Sequence, residues 1–228
     1  MSVYDMLIIA GLPRSGTTFL NNVFASGAIS DKFYGQHSSH FGQLGTNPLH
    51  LCESRIIGIS FMAGCRVEPF LKLYTSYWKY QIKDQNKTIV YKHPQLALQL
   101  PFENVPGWQT KCVLCMRDFE AWRMSFIKFQ GHCGFTKDAT DSFYEKYWPN
   151  EWQHPENIEQ RISILYKLFI EKIEANKEGN FVFHYSRDPG KLMSEIARMI
   201  EFFDDNEDKG DVNKRARKII NRYWRQPI

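Results

Sequence analysis

Residues 11–18 read Gly-Leu-Pro-Arg-Ser-Gly-Thr-Thr and join the apolar run Met-Leu-Ile-Ile-Ala of residues 6–10 to a helix-forming segment. At such a junction backbone N–H groups and the helix dipole favour an anion. The two glycines allow positive φ and close backbone approach, while Thr17 and Thr18 add hydroxyl donors. The spacing is that of a phosphate-binding loop, GxxxxGK(S/T), except that Thr17 stands where the lysine belongs. In a nucleotide kinase that lysine neutralises the β and γ phosphates. Here the cation is Arg14, inside the loop, which leaves a small-molecule or nucleotide kinase as the alternative only.

Residues 13–20, Pro-Arg-Ser-Gly-Thr-Thr-Phe-Leu, resemble the sulfotransferase superfamily, whose members follow a first strand with a loop Pro-(Lys/Arg)-Ser-Gly-Thr-Thr and an aromatic or aliphatic residue. The resemblance implies that Arg14, Ser15, Gly16, Thr17, Thr18 and Phe19 hold the 5′-phosphosulfate of 3′-phosphoadenosine 5′-phosphosulfate (PAPS), with Arg14 on the phosphate left behind. It also implies that Arg117, after the apolar run 113–116, and Ser125, eight residues later, bind the donor's 3′-phosphate. A guanidinium can fork onto a phosphate while a hydroxyl donates from two helical turns further on. Phe119 replaces the proline that often follows the family's Arg-Asp. Residues 89–94, Ile-Val-Tyr-Lys-His-Pro, are similar to the family's strand ending in Lys-x-Pro. Residues 181–185 resemble its late strand, with Ser186 and Arg187 in place of the usual acidic pair. The fold so implied is a single α/β domain over residues 1–228, a parallel sheet flanked by helices with P-loop-containing nucleoside triphosphate hydrolase-like architecture.

Sulfuryl transfer needs an in-line acceptor and stabilisation of charge on the leaving and equatorial oxygens. The moving group carries less charge than a phosphoryl group, so fixed cations suffice and no metal is required. Arg14 and Lys92 are the candidate cations. A histidine suits the general base, and His93 adjoins Lys92, one residue nearer than the cytosolic members' histidine. One step along a strand reverses a side chain's direction, so His37, His40 and Glu68 stand beside His93 as candidates. The acceptor implied is a hydroxyl or amine on a small molecule or carbohydrate. A chain that had lost its base would be a non-catalytic PAPS- or nucleotide-binding protein.

Several elements must position these groups. Strands are expected at residues 6–10, 88–91, 111–116 and 180–185, and helices between them imply parallel pairing. Helical stripes run through Phe70, Leu73, Tyr74, Tyr77 and Trp78; through Ile158, Ile162, Leu165, Phe169 and Ile173; and through Leu192, Ile196, Met199, Ile200 and Phe203. Asn157 with Gln160 three residues on makes a capping-box start. Residues 26–46 and 130–155 show no period and suit acceptor-binding walls.

Hydrophobic residues at 43% and charged residues at 24% exclude a disordered chain. A net charge of +4 is too weak to point to nucleic acid. Residues 213–228 hold six basic residues and no acid, around the stripe Ala216, Ile219, Ile220, Tyr223 and Trp224, which predicts a basic helix packed on the core. Cys112 and Cys115 face opposite sides of a strand, which suits buried thiols rather than a metal site. With neither a signal-peptide core nor a membrane-length apolar run, the expected location is cytoplasmic. Oligomeric state is not encoded in any readable motif.

Overall fold

A run without a polar residue forms a strand only where both faces are covered. β1 (Met6–Gly11) lies at the centre of the sheet with all six residues buried. The computed structural model describes residues 4–37, 63–133, 144–145, 149–150, 152, 155–203 and 209–223. Five strands pair in parallel in the order β2 (Phe33–Tyr34), β3 (Thr88–Lys92), β1, β4 (Thr110–Arg117) and β5 (Phe181–Tyr185). From β1 the sheet grows first to one side and then to the other. The crevice of such a sheet opens at the carboxyl end of the strand where direction switches, and residues 11–18 lie there.

Alternation along β1 divides the core. Met6, Ile8 and Ala10 pack with α2 (Glu68–Ile82), the 3-10 segment Pro94–Gln99, α3 (Phe119–Cys133) and α4 (Ile158–Ala175). Leu7 and Ile9 pack with α1 (Thr17–Ala25), α5 (Pro189–Phe203) and α6 (Lys209–Tyr223). Each fully buried Leu or Ile contributes about 1.5–3 kcal/mol, so the period-2 pattern fixes which helix covers which face. Cys112 belongs to the first cluster and Cys115 to the second, so the two sulfurs share no site. Burial pushes the Cys112 thiol up to about 12 and also raises that of Cys115.

The four long strands and the late helices lie where periodicity puts them. Asn157 caps α4, accepting from the Gln160 N–H at 3.0 Å, and Gln160 reaches back to the Glu156 N–H at 2.8 Å. Two features differ. β2 falls inside the stretch expected to be irregular, since two residues cannot display a period. On α2 the expected stripe is split: Phe70, Leu73 and Tyr77 are 38%, 70% and 38% exposed, while Tyr74 is buried and Trp78 packs half-buried against the core. The buried side carries Leu71, Tyr74, Thr75 and Lys79. Polar partners select it, because Lys79 pairs with Asp5 at 2.7 Å and Thr75 accepts from the Trp108 indole at 3.1 Å.

On the outer edge of the sheet, α5 covers the backbone of β5. Arg198 donates to the Val182 carbonyl at 2.5 Å, Glu195 accepts from the His184 N–H at 3.0 Å, and the two side chains pair at 2.8 Å. α6 buries Val212, Ala216, Ile219 and Ile220 and leaves Lys214, Arg217, Lys218 and Arg222 exposed. Arg215 is bonded to the carbonyls of Ala28 and Ile29, so it braces the far end of α1. Trp224, Arg225, residues 38–62 with His40, and most of residues 130–155 lie outside the described residues. Among the described residues no helix is long and apolar enough to cross a membrane.

Candidate active site

The loop after β1 departs from strand geometry at once. Gly11 has φ 129, and a Cβ there would meet the Cys115 carbonyl oxygen at 2.2 Å, so only glycine lets β1 leave the sheet this close to β4. Arg14 takes φ 67 and Gly16 φ 84, both left-handed, and α1 follows. Gly16 occupies the cap position and carries no side chain to bond the first N–H groups of α1. The first turn holds no acidic residue either. The positive end of the helix therefore has no anion of its own.

Three successive carbonyls pin the loop from beneath. Leu12 O accepts from the Ser15 N–H at 3.2 Å and from the Ser15 hydroxyl, which also lies 3.2 Å from Cys115 O. Pro13 O accepts from the Trp122 indole N–H at 2.6 Å, and Arg14 O from the Arg117 guanidinium at 3.1 Å. Trp122 reaches the loop from the α3 side of the sheet and Arg117 from the α1 side, so the loop is held from both faces. Ser15 is fully buried; its hydroxyl is spent on this scaffold.

Arg117 is the last residue of β4 and sits opposite Tyr185 in the register. Its guanidinium lies 5.3 Å from the Tyr185 ring centroid, and it is only 6% exposed. Burial, then the charges of Arg187 and Arg14, hold its pKa below the usual arginine range. Among the described residues no carboxylate bonds it. Asp118, the nearest acid in sequence, caps α3 by accepting from the Ala121 N–H at 3.1 Å. That cap does the work of the missing proline, so Phe119 starts the helix normally. Ser125 is half-buried on α3, eight residues on from Arg117, and its hydroxyl makes no hydrogen bond among the described residues.

Lys92 ends β3, 3% exposed, and donates to Thr18 Oγ1 at 3.3 Å. Next to it, the His93 ring stacks on Tyr91 with planes 18° apart and centroids 6.4 Å apart. Tyr91 belongs to the α2 side of the core and Val90 to the α1 side. The structure therefore brings Lys92 to the loop and turns His93 to the opposite face. Glu68 is buried at the start of α2, bonded to Arg66 and, at 2.8 Å, to the Glu103 N–H. His37 is exposed, next to Gln36, whose carbonyl accepts from Asn21 of α1 at 2.8 Å. Phe19 is buried edge-on to Tyr185, at 6.2 Å between centroids, so its side chain supports that ring.

Two residues of this constellation, Trp122 and Tyr166, carry no sequence signal, and a third, Tyr185, shows only as the end of the segment that resembles the family's late strand. Tyr185 packs under Gly16, where an added Cβ would lie 2.3 Å from its ring, while also backing Arg117. Trp122 anchors Pro13. Tyr166 donates to the Arg117 carbonyl at 3.0 Å. Only the β4–β5 register and the α3–α4 packing bring them together. The assembled site, an uncapped helix end with Arg14, Lys92 and a buried Arg117 around it, suits a ligand with two anionic groups. Among the described residues no group of three His, Cys, Asp or Glu side chains could hold a metal.

A family model described as the sulfotransferase domain matches residues 4–226. Among solved structures, the sulfotransferase STF9 from Mycobacterium avium is similar over 100% of this chain and 70% of that chain, at 12% identity and a TM-score of 0.46. No curated protein matches the chain.

Proposed function

The chain belongs to the family of sulfotransferase domains, and from that premise we propose that it is a PAPS-dependent transferase acting on a hydroxyl or amine of a small molecule or carbohydrate. Bound PAPS would supply the sulfuryl group, and 3′-phosphoadenosine 5′-phosphate would be released. The observation that carries this reading is Arg117, a buried guanidinium with no carboxylate partner among the described residues, beside an uncapped helix end. Such a charge is costly to bury unless an anion meets it.

In this reading Arg117 and Ser125 take the donor's 3′-phosphate. The N–H groups of Gly16, Thr17, Thr18 and Phe19 take its 5′ end, and Ser15 contributes by shaping the loop. Arg14 and Lys92 hold positive charge where the leaving and equatorial oxygens gain negative charge. We assign acceptance of the acceptor's proton to His93. Residues 1–228 act as one domain, and the buried free thiols Cys112 and Cys115 suit a reducing, cytoplasmic setting.

Thermal unfolding with and without 3′-phosphoadenosine 5′-phosphate tests the reading. A ligand at 100 times its Kd stabilises by about 2.7 kcal/mol, and Arg14→Ala should abolish turnover without unfolding the chain. No stabilisation at millimolar nucleotide, or stabilisation only by ATP with magnesium, would overturn the proposal and restore the kinase alternative. The direction of the His93 ring favours one second reading, a protein that binds the donor but transfers nothing. Binding with no labelled sulfate moved to phenol, alcohol, amine or sugar acceptors would support it.

A further inference from the structure

β5 ends at Tyr185 and α5 begins at Pro189, so residues 186–188 form a turn at the end of the sheet that carries the loop. Arg117 stands opposite Tyr185 in the register, and Arg187 comes two residues after that tyrosine. Its charge reaches Arg117: after burial it is the largest influence lowering the Arg117 pKa, ahead of Arg14. The acid beside it is committed elsewhere, since Asp188 Oδ1 accepts from the N–H groups of Gly190 at 2.8 Å and Lys191 at 3.0 Å. Among the described residues Arg187 makes no ion pair. Arg14, Arg117 and Arg187 thus stand at or just beyond the carboxyl ends of the neighbouring strands β1, β4 and β5, with Asp118 the weakest influence on Arg117. Like charges so placed repel, and an anion shared between them relieves the repulsion.

We propose that Arg187 is a third cationic arm of the donor site, closing with Arg117 on the phosphate remote from the transferred group. The proposal rests on the reading of the donor as a 3′-phosphorylated adenosine nucleotide. Arg187 is exposed, so its contribution is screened by salt as that of buried Arg117 is not. A guanidinium suits this task because its planar fork meets two phosphate oxygens at once.

Calorimetric titration with 3′-phosphoadenosine 5′-phosphate and with adenosine 5′-phosphate provides the test, on the wild-type chain, Arg187→Ala and Arg187→Lys. Arg187→Ala should weaken the bisphosphate about 10-fold and leave the monophosphate unchanged. Its salt dependence should be shallower, and its ligand-free melting temperature unaltered. Arg187→Lys should recover part of the loss. Bisphosphate affinity equal to wild type in Arg187→Ala, or equal losses for both nucleotides, would sink the role of Arg187 alone. A wild-type chain that does not prefer the bisphosphate would overturn the donor reading as well.

Discussion

Gly16 offers the sharpest test of how the loop is built. An alanine there must adopt φ 84, which costs an L-residue about 1–2 kcal/mol. Its Cβ would also lie 2.3, 2.7 and 2.9 Å from Cδ2, Cγ and Cε2 of Tyr185. Because Cγ sits on the ring's rotation axis, flipping the ring relieves nothing. The whole side chain must move against Phe19 and Arg117, at about 1–3 kcal/mol. Gly16→Ala should therefore destabilise by about 2–5 kcal/mol. With Tyr185→Ala as background the clash is gone and only the backbone strain of about 1–2 kcal/mol remains. Urea unfolding of the four proteins, followed by tryptophan fluorescence, closes the cycle. The double mutant should be more stable than the summed single costs by about 1–3 kcal/mol. Costs that add to within about 0.5 kcal/mol would refute the packing of Tyr185 beneath the loop.

Two more outcomes follow from the same structure. Trp122→Phe keeps a ring in the aromatic layer with Phe119, Phe126 and Tyr166 but removes the donor to Pro13 O. Denaturant midpoints should register a loss of about 2–3 kcal/mol, and an unchanged midpoint would show that the indole does not hold the loop. Among the cysteines whose side chains are described, only Cys65 is exposed. Alkylation of the folded chain at pH 8, mapped by mass spectrometry, should label Cys65 and spare Cys112 and Cys115 until denaturant is added; early labelling of Cys112 would contradict its burial.

What could be read along the chain is what local chemistry dictates. The unbroken apolar run of β1, the loop with its displaced cation, and the Asn157–Gln160 cap each depend on neighbours within a few residues. Face parity was also legible in part. One step separates Lys92 from His93, and the sheet sends the first to Thr18 and the second to Tyr91. Other features depend on distant partners. The buried side of α2 is chosen by Asp5 and Trp108, which no period in residues 68–82 reveals. Tyr185 enters the site because β5 pairs with β4 in one register, and Trp122 because the loop returns beneath α3. The cation at position 187 shows no pattern with Arg117 in sequence, since 69 intervening residues separate them.

The Arg198–Glu195 pair on α5 has a consequence for the molecule among its own copies. A strand at the rim of a sheet offers alternating donors and acceptors on which another chain can polymerise. Here the outward carbonyl of Val182 and the outward N–H of His184 are already occupied, by two side chains that also neutralise each other. A newcomer would have to break both bonds and strand a guanidinium and a carboxylate before gaining its first rung. The rim of β5 is thus closed to a further strand from that side, even in a crowded solution.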